Sequence, residues 1–434
     1  MSSLELYLIT FNCGRALVEP SAFAPHLFDA LPKNAALPDI IAISLQEIAP
    51  ISYSFLGGSF LNPYFDRIDT SVHLAAHHLG GDSVRYESVF QRNMGMTALV
   101  VYAKEHIVPQ ITRVQSAATG VGFWDMGNKG AVGAILGLKH EADAQELDLT
   151  FIAAHLAPME EAVQRRNEDW KTIVRTLVFV NDDLGAPSKS VQMGIESRPI
   201  LRDGDDPKAI YHARGHVFFC GDLNYRTSDA PPESETWQTY PKAVESEASP
   251  VHFAKLLAKD QLTREMKAGR TCHGFEELPI TFPPTYKLSH KATPIAMAAN
   301  TGADSSWQWA KHRFPSWCDR CLYLPPPKKS SQLQLRKYTS LAVQPTSDHR
   351  PVALSVTAPL EAWQDPDPEA DDIRLNPPFS IDPQWQSRYQ ALRRYEVVVG
   401  VLAYLTTTKE GLAMFVASVG GIAALSLFLR GYGR

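Results

Sequence analysis

The sequence points to a two-sheet α/β sandwich with its chemistry gathered at one edge. Two observations carry this. Short apolar runs recur along most of the chain, and polar clusters sit beside them: Thr10-Phe11-Asn12, Gln46-Glu47, Cys220-Gly221-Asp222-Leu223-Asn224-Tyr225-Arg226, Pro315-Ser316-Trp317-Cys318-Asp319-Arg320 and Ser347-Asp348-His349-Arg350. Apolar runs of this length suit buried strands. Reactive side chains held where strands hand over to loops suit a site on a rigid scaffold.

Residues 4–10 mix Leu, Ile and Tyr and read as a strand. Residues 40–45 (IIAISL) form a buried strand that ends at Gln46-Glu47. Residues 97–102 and 130–138 are two more, separated by a Gly-rich loop, and residues 147–154 run into His155. Over residues 159–180 the period becomes helical, with Val163, Trp170, Ile173 and Leu177 on one face. Residues 216–220, 321–324 and 352–356 complete the strands. Residues 181–213, with their Gly, Pro, Ser and Asp203-Gly204-Asp205-Asp206 cluster, read as a surface insertion.

The domain organisation follows from composition. Residues 1–360 make a catalytic domain. Residues 361–396 are an acidic, Pro-rich linker with no apolar pattern to pack. Residues 397–434 form a membrane anchor, in which residues 411–429 carry no charge and many small side chains. As a helix that stretch is about 28 Å long, the thickness of a bilayer hydrocarbon core. A buried C-terminal helix is the alternative. Residues 397–405 are too short to span alone and lie at the interface or extend the helix. The start, Met1-Ser2-Ser3-Leu4-Glu5, lacks the basic and apolar regions of a signal peptide.

A net charge of -5 argues against a general positive field for nucleic acid. Five cysteines without regular spacing fit a reducing compartment better than a disulfide scaffold. Cys318 and Cys321 make a lone C-x-x-C, with no second pair nearby to complete a zinc site.

The clusters suggest metal-assisted hydrolysis. Glu47 is a plausible ligand for a hard cation such as Mg²⁺, which binds through oxygen and keeps waters. Asp222 and Asn224 alternate, so in an extended segment both point the same way, where a carboxylate can deprotonate a water and an amide can hold it. An Asx-rich turn is the plainer alternative. His349 is an acid–base candidate if a carboxylate fixes its tautomer. Asp348, its neighbour, points away in an extended chain, so Asp319 is the expected partner. Gly127-Asn128-Lys129-Gly130 can bring backbone and a charge to an anion, or can be a simple hairpin. Tyr286-Lys287 sets a phenol beside an ammonium, suited to clamping a phosphate. Arg165 and Arg166 serve equally well as structural residues. Cys220 and Arg226 have the C-x5-R spacing of cysteine-dependent phosphatases, but Asp222 would put a carboxylate inside that anion-binding loop.

Taken together, these segments resemble the inositol polyphosphate 5-phosphatases, a family within a metal-dependent hydrolase superfamily shared with DNase I-like nucleases and neutral sphingomyelinases. The likeness spans residues 5–358. It rests on Gln46-Glu47, MGNKGAV at 126–132, AAHL at 153–156, RRNEDW at 165–170, GDLNYR at 221–226, PPTYK at 283–287, RFPSWCDR at 313–320 and SDHRPV at 347–352. The whole chain looks most like a small fungal member with a C-terminal tail anchor. Two strings depart from the family: Phe11-Asn12-Cys13-Gly14, where Trp more often precedes the Asn, and Ala157-Pro158 after His155-Leu156.

The resemblance implies a four-layer, DNase I-like α/β sandwich of two mixed sheets and one Mg²⁺, held by Glu47 with Asn12 and Asp348. It implies that Asp222 positions or deprotonates water with help from Asn224, and that His349, paired with Asp319, supports the charge on the scissile phosphate beside His155. Tyr286 and Lys287 would recognise a 4-phosphate, with charge or contacts added by Asn128, Lys129, Arg313 and Arg350. The activity expected is removal of the 5-phosphate from phosphatidylinositol 4,5-bisphosphate. The alternatives are a preference for soluble inositol polyphosphates, or a nuclease- or sphingomyelinase-like phosphodiesterase chemistry. The expected partners are a phosphoinositide substrate and a membrane, with no nucleic acid and a monomeric state. A span of this length suits the thinner endoplasmic reticulum bilayer, with the catalytic domain in the cytosol.

Overall fold

The computed structural model describes residues 3–140, 145–181, 207–212, 214–243, 246–289, 307–361, 363, 365–367 and 371–432. The apolar runs become strands of two six-stranded sheets. The first holds β1 (Ser3–Asn12), β2 (Ile40–Gln46), β3 (Tyr86–Met94), β4 (Thr97–Lys104), β11 (Gln334–Ser340) and β12 (Val352–Pro359) in the order β11-β12-β1-β2-β4-β3. The second holds β5 (Ile111–Gly120), β6 (Gly130–Leu138), β7 (Leu147–His155), β8 (Val180–Asn181), β9 (His216–Asp222) and β10 (Asp319–Leu324) in the order β10-β9-β7-β6-β5-β8. Each sheet is mixed: β1 and β2 run parallel in one, β7 and β9 in the other.

Period-two alternation sorts the strands between three apolar layers. Leu4, Leu6 and Leu8 of β1 enter the core between the sheets, where they meet Leu149, Phe151 and Phe218 from the second sheet. Tyr7, Ile9 and Phe11 face outward and pack with Phe65, Ile68 and Val72 of the Asn62–Gly80 helix. On the far side, Ile152, Val217 and Phe219 pack with Trp170, Ile173 and Val174 of the Val163–Thr176 helix. The result is the expected sandwich of helices, sheet, sheet and helices.

Three expectations change. β3, β5, β8, β11 and the Asn62–Gly80 helix are elements beyond those expected. Of the surface insertion, residues 182–206 and 213 lie outside the described residues, while Ile210, Tyr211 and His212 are buried. Residues 361–396 are not a bare linker. Trp363 and Arg374 are buried against the domain, and a helix, Trp385–Thr407, starts within the stretch and carries on through 397–405. That helix packs against the Ile51–Leu56 helix, with Gly400 allowing close approach to Phe55 and Leu56. A second helix, Lys409–Tyr432, follows. Among the described residues, its Lys409–Leu429 stretch is the one helix long and apolar enough to cross a membrane, and all of it but Gly411 is exposed.

Register places the site. Parallel pairing sets Asn12 opposite Gln46 and His155 opposite Asp222, and antiparallel pairing sets Asp319 opposite Asp222 and Thr10 opposite Val352. Strand ends from both sheets therefore meet at one edge.

Candidate active site

At that edge is a cavity of about 530 Å³. Asn12, Glu47, Lys129, His155, Asp222, Asn224, Tyr286, Lys287, Asp348 and His349 all line it. Asp319 lies directly behind the wall, fully buried, in contact with His349.

His349 is fixed from both sides. Its Nδ1 lies 2.9 Å from Asp319 Oδ2, which also accepts a 2.7 Å bond from Thr285 Oγ1. Its backbone N–H donates to Ser347 Oγ at 3.0 Å, and that hydroxyl donates to Asn12 O at 2.6 Å. The expected partner is therefore the observed one. Nε2 is left toward the cavity, 3.8 Å from Asp222 Oδ2 and 3.9 Å from Asp348 Oδ1. Burial alone would lower the His349 pKa, but Asp319 and Asp222 outweigh it and hold the ring protonated, at about 9. Burial raises the Asp319 carboxyl, with His349 acting against that rise.

Asp222 sits between donors. Asn12 Nδ2 donates to its Oδ2 at 2.9 Å, the Asn224 N–H donates to Oδ1 at 3.1 Å, and His155 Nε2 is 3.3 Å from Oδ2. Burial would raise this carboxyl, yet His349, His155 and Lys129 hold it far below the ordinary range. It is a buried anion at the cavity wall, held ionised by the cationic groups around it.

Asn224 does not alternate with Asp222 on an extended strand. β9 ends at Asp222, and Asn224 takes a left-handed φ of 56°. Asn and Asp tolerate that region because their short polar chains bond locally. The Asn224 amide donates to Leu156 O at 3.0 Å, and Arg226 holds its Oδ1 and O. The Arg226 guanidinium also lies 4.4 Å over the Tyr286 ring. Cys220, by contrast, belongs to the core between the sheets. The C-x5-R spacing thus forms no thiolate loop. Cys318 packs among the site strands near Tyr225, and Cys321 faces the inter-sheet core, so the C-x-x-C pair is split.

Glu47, just past β2, holds a left-handed φ of 46°, a costlier choice for Glu than for Asn. Arg15 Nε is 2.7 Å from its Oε2 and Lys129 Nζ is 3.6 Å from Oε1. Burial would raise the Glu47 carboxyl; Lys129, His155 and Arg15 together lower it. Lys129 also reaches His155, and burial depresses its own pKa. Lys287 is paired with Asp348 and lies 5.2 Å over the Tyr286 ring.

Three expected binding residues are not part of the cavity wall. Asn128 turns its Oδ1 to the Phe123 N–H at 3.0 Å and so closes its own loop. Arg313 pairs with Glu160 at 3.4 Å and touches Met159 Sδ. Arg350 is buried, with its backbone N–H bonded to Thr285 O. Sequence reasoning in turn passed over Arg15, Arg226, Thr285 and Ser347 as supports. Thr285 and Ser347 lay inside the quoted strings PPTYK and SDHRPV, where a hydroxyl beside a reactive residue was the available signal.

The donor set fits a hard divalent cation. Glu47, Asp348 and Asn12 all border one cavity, and the two carboxylates are held by cationic side chains that an ion could replace as partner, while the Asn12 amide oxygen accepts from the Gly14 N–H. The Asn12 amide N–H donates to Asp222. Asp222, Asp319 and His349 bring ligand atoms within 4.8 Å of one another as well. The Asp319–His349 hydrogen bond accounts for much of that closeness.

Residues 9–355 match the endonuclease/exonuclease/phosphatase family 2. The chain belongs to this family. Among curated relatives of this family member, a type II inositol polyphosphate 5-phosphatase 15 of Arabidopsis thaliana is 32% identical over 61% of the chain, and an inositol-1,4,5-trisphosphate 5-phosphatase 1 of Schizosaccharomyces pombe is 29% identical over 74%. The chain spans about a quarter of the length of these relatives, 23% and 24% respectively. Of solved structures, the inositol polyphosphate 5-phosphatase domain of a synaptojanin, in complex with inositol (1,4)-bisphosphate and calcium ion, is similar with a TM-score of 0.57 and 24% identity, over 91% of this chain and 93% of that one. A Cimex nitrophorin shares the fold with a TM-score of 0.50 at 18% identity, over 83% of this chain and 99% of that one. The family expectation and the fold expectation are both borne out.

Proposed function

We propose that this chain is a Mg²⁺-dependent phosphoinositide 5-phosphatase that converts phosphatidylinositol 4,5-bisphosphate to phosphatidylinositol 4-phosphate. The observation that carries the reading is one charged cavity lined by Asp222 and by His349, the latter backed by the buried Asp319, which sets a carboxylate anion beside a protonated imidazole. Asp222 orients the attacking water and accepts its proton only as the P–O bond to the inositol 5-oxygen breaks, that oxygen leaving with a proton from solvent, and Asn224 helps to hold the water from the turn beside Asp222. His349 Nε2 donates to a phosphoryl oxygen as charge develops there, and Asp319 keeps the imidazole in the tautomer and charge state this needs. His155 contacts the same phosphate. Glu47, Asn12 and Asp348 would hold Mg²⁺, which when bound neutralises charge on the phosphoryl oxygens. Tyr286 and Lys287 grip the neighbouring 4-phosphate, with Lys129 adding positive charge to the same cavity. The names of the two curated relatives, an inositol polyphosphate 5-phosphatase and an inositol-1,4,5-trisphosphate 5-phosphatase, support this class over nuclease or sphingomyelinase chemistry.

The apolar Lys409–Leu429 helix supports attachment to a membrane, with the cavity on the cytosolic side and the endoplasmic reticulum as the location. Confinement near headgroups favours a lipid substrate over a soluble one.

The test is phosphate release from vesicles containing phosphatidylinositol 4,5-bisphosphate and from inositol 1,4,5-trisphosphate, with strand cleavage of a single-stranded oligonucleotide followed alongside, each with and without EDTA. Lipid turnover that EDTA abolishes and Mg²⁺ restores is expected. Faster turnover of the soluble headgroup would move the assignment to inositol polyphosphates, and activity that survives EDTA would overturn the metal. Deleting residues 409–432 should release the protein from membrane pellets; continued pelleting would overturn the anchor.

A further inference from the structure

One side chain of the Trp385–Thr407 helix reaches the loop that carries Lys129. Glu396 is fully buried, and its Oε1 accepts from the Gly127 N–H at 2.7 Å across 269 residues of sequence. Arg393 donates to Glu396 Oε2 at 3.2 Å and to the carbonyls of Phe55 and Leu56 at the end of the Ile51–Leu56 helix. Gly400, one turn past Glu396 on the same face, packs on that helix, and Tyr404 lies 5.5 Å from the Phe60 ring. The opposite face, with Tyr395, Val398 and Leu402, is exposed.

The held peptide is wired to the cavity. Gly127 O accepts from the Met96 N–H at 2.8 Å, and Met96 O accepts from the Ile48 N–H at 3.3 Å, one residue beyond Glu47. Lys129, two residues on from Gly127, reaches Glu47 and His155. The geometry is tight enough that neither glycine admits a side chain. A Cβ on Gly127 would stand 2.8 Å from Glu396 Oε1, and one on Gly95, already at φ +52°, would stand 2.2 Å from Gly127 O. A buried carboxylate is costly unless paired and hydrogen-bonded, and packing alone would be served better by an apolar residue here.

We infer that Glu396 is a positioning residue. From the helix that leads into the apolar Lys409–Tyr432 helix, it holds the Gly127 peptide and so sets Lys129 and Glu47 at the cavity wall. The kinetic part of this inference rests on the 5-phosphatase reading. The link gives the segment outside the sandwich a direct hand in the binding geometry of the site.

The test compares full-length wild type with Glu396→Ala and Glu396→Gln. Glu396→Gln keeps an oxygen for the Gly127 N–H and loses the charge. In Glu396→Ala, KM for a soluble inositol phosphate should rise about tenfold, the scale of one buried charge-assisted hydrogen bond. kcat should change less, and Glu396→Gln should recover most of the loss. Hydrogen exchange at residues 127–129 should quicken in Glu396→Ala while the β1, β2 and β7 amides stay protected. Unchanged KM with unchanged exchange at 127–129 would overturn the inference. So would quickened exchange throughout the sandwich with no recovery by Glu396→Gln, since that is a purely structural role. The exchange measurement needs no turnover. If wild type released no phosphate the 5-phosphatase reading would fail, and exchange at 127–129 would still decide whether Glu396 positions the loop.

Discussion

Replacing Asp319 by Asn isolates the contribution of one buried carboxylate. The side chain keeps its size, and the Thr285 hydroxyl, which donates to Asp319 Oδ2 at 2.7 Å, still finds an oxygen. What is lost is the negative partner 2.9 Å from His349 Nδ1. Hydrogen bonds to charged groups contribute about 1.5–3 kcal/mol. Withdrawn wholly from the transition state, that is about a 10- to 150-fold fall in kcat. If the amide instead turns its N–H toward the ring, His349 is forced into the opposite tautomer, and the fall approaches the ~10,000-fold seen for the same exchange in a Ser-His-Asp triad. The assay is steady-state phosphate release with Mg²⁺ present, with thermal melting as the control for folding. kcat should drop at least tenfold while KM moves by less than about threefold, since Asp319 does not line the cavity. A variant that melts like wild type and keeps kcat within twofold would refute the Asp319–His349 pairing as a working part.

Trp170→Ala should cost about 3–5 kcal/mol in urea unfolding, because the indole is fully buried, meets Phe219 and Phe275 edge-on at 5.2 and 5.6 Å, and donates to His273 Nδ1; a loss under about 1 kcal/mol would show that the Val163–Thr176 helix is not anchored there. Glu47→Gly should melt above Glu47→Ala, reversing the usual order, since φ of 46° suits glycine; Ala melting higher would deny the strain. Burial holds His212 and His216 neutral, with pKa values lowered to about 4. The unfolded chain, near 6.5, therefore binds more protons between these values. The contribution of these two histidines is full above about pH 6.5 and declines as pH falls toward 4, by up to about 1.4 kcal/mol per unit for each. Urea midpoints from pH 7 to 5 should show this decline, less steep in His216→Asn; equal slopes in wild type and variant would refute it.

What could be read in advance had a local cause. β2 and β7 are buried on both faces and appear as runs dominated by apolar residues, broken only by Ser44 in one and Asp148 and Thr150 in the other. The strand-end positions of Glu47, His155 and Asp222 followed from where those runs stop. Asp319 was separable from Asp348 as the partner of His349 because adjacent residues on an extended chain diverge. β3 and β11 were hidden by polar outer residues, as befits the edge strands of their sheet. The Asn62–Gly80 helix carried a readable period in Phe65, Ile68, Val72 and Ala75. Asn224 was misplaced because the strand stops two residues before it, in a turn stabilised by the distant Leu156 carbonyl and by Arg226. The contacts of Arg15 with Glu47 and of Glu396 with Gly127 join residues far apart in sequence, and such contacts leave no periodic trace.

The position of β12 sets a timetable for synthesis. β1 lies between β2, which is complete by Gln46, and β12, whose last paired residue is Pro359. A ribosome adding 5–20 residues per second needs roughly 15–60 s to cover that interval. Until then β1 presents a bare apolar edge, and His349 has not yet been made. The nascent chain is therefore inert toward substrate and exposed to strand addition for most of its birth, and a chaperone that shields the first sheet has its work concentrated in that window.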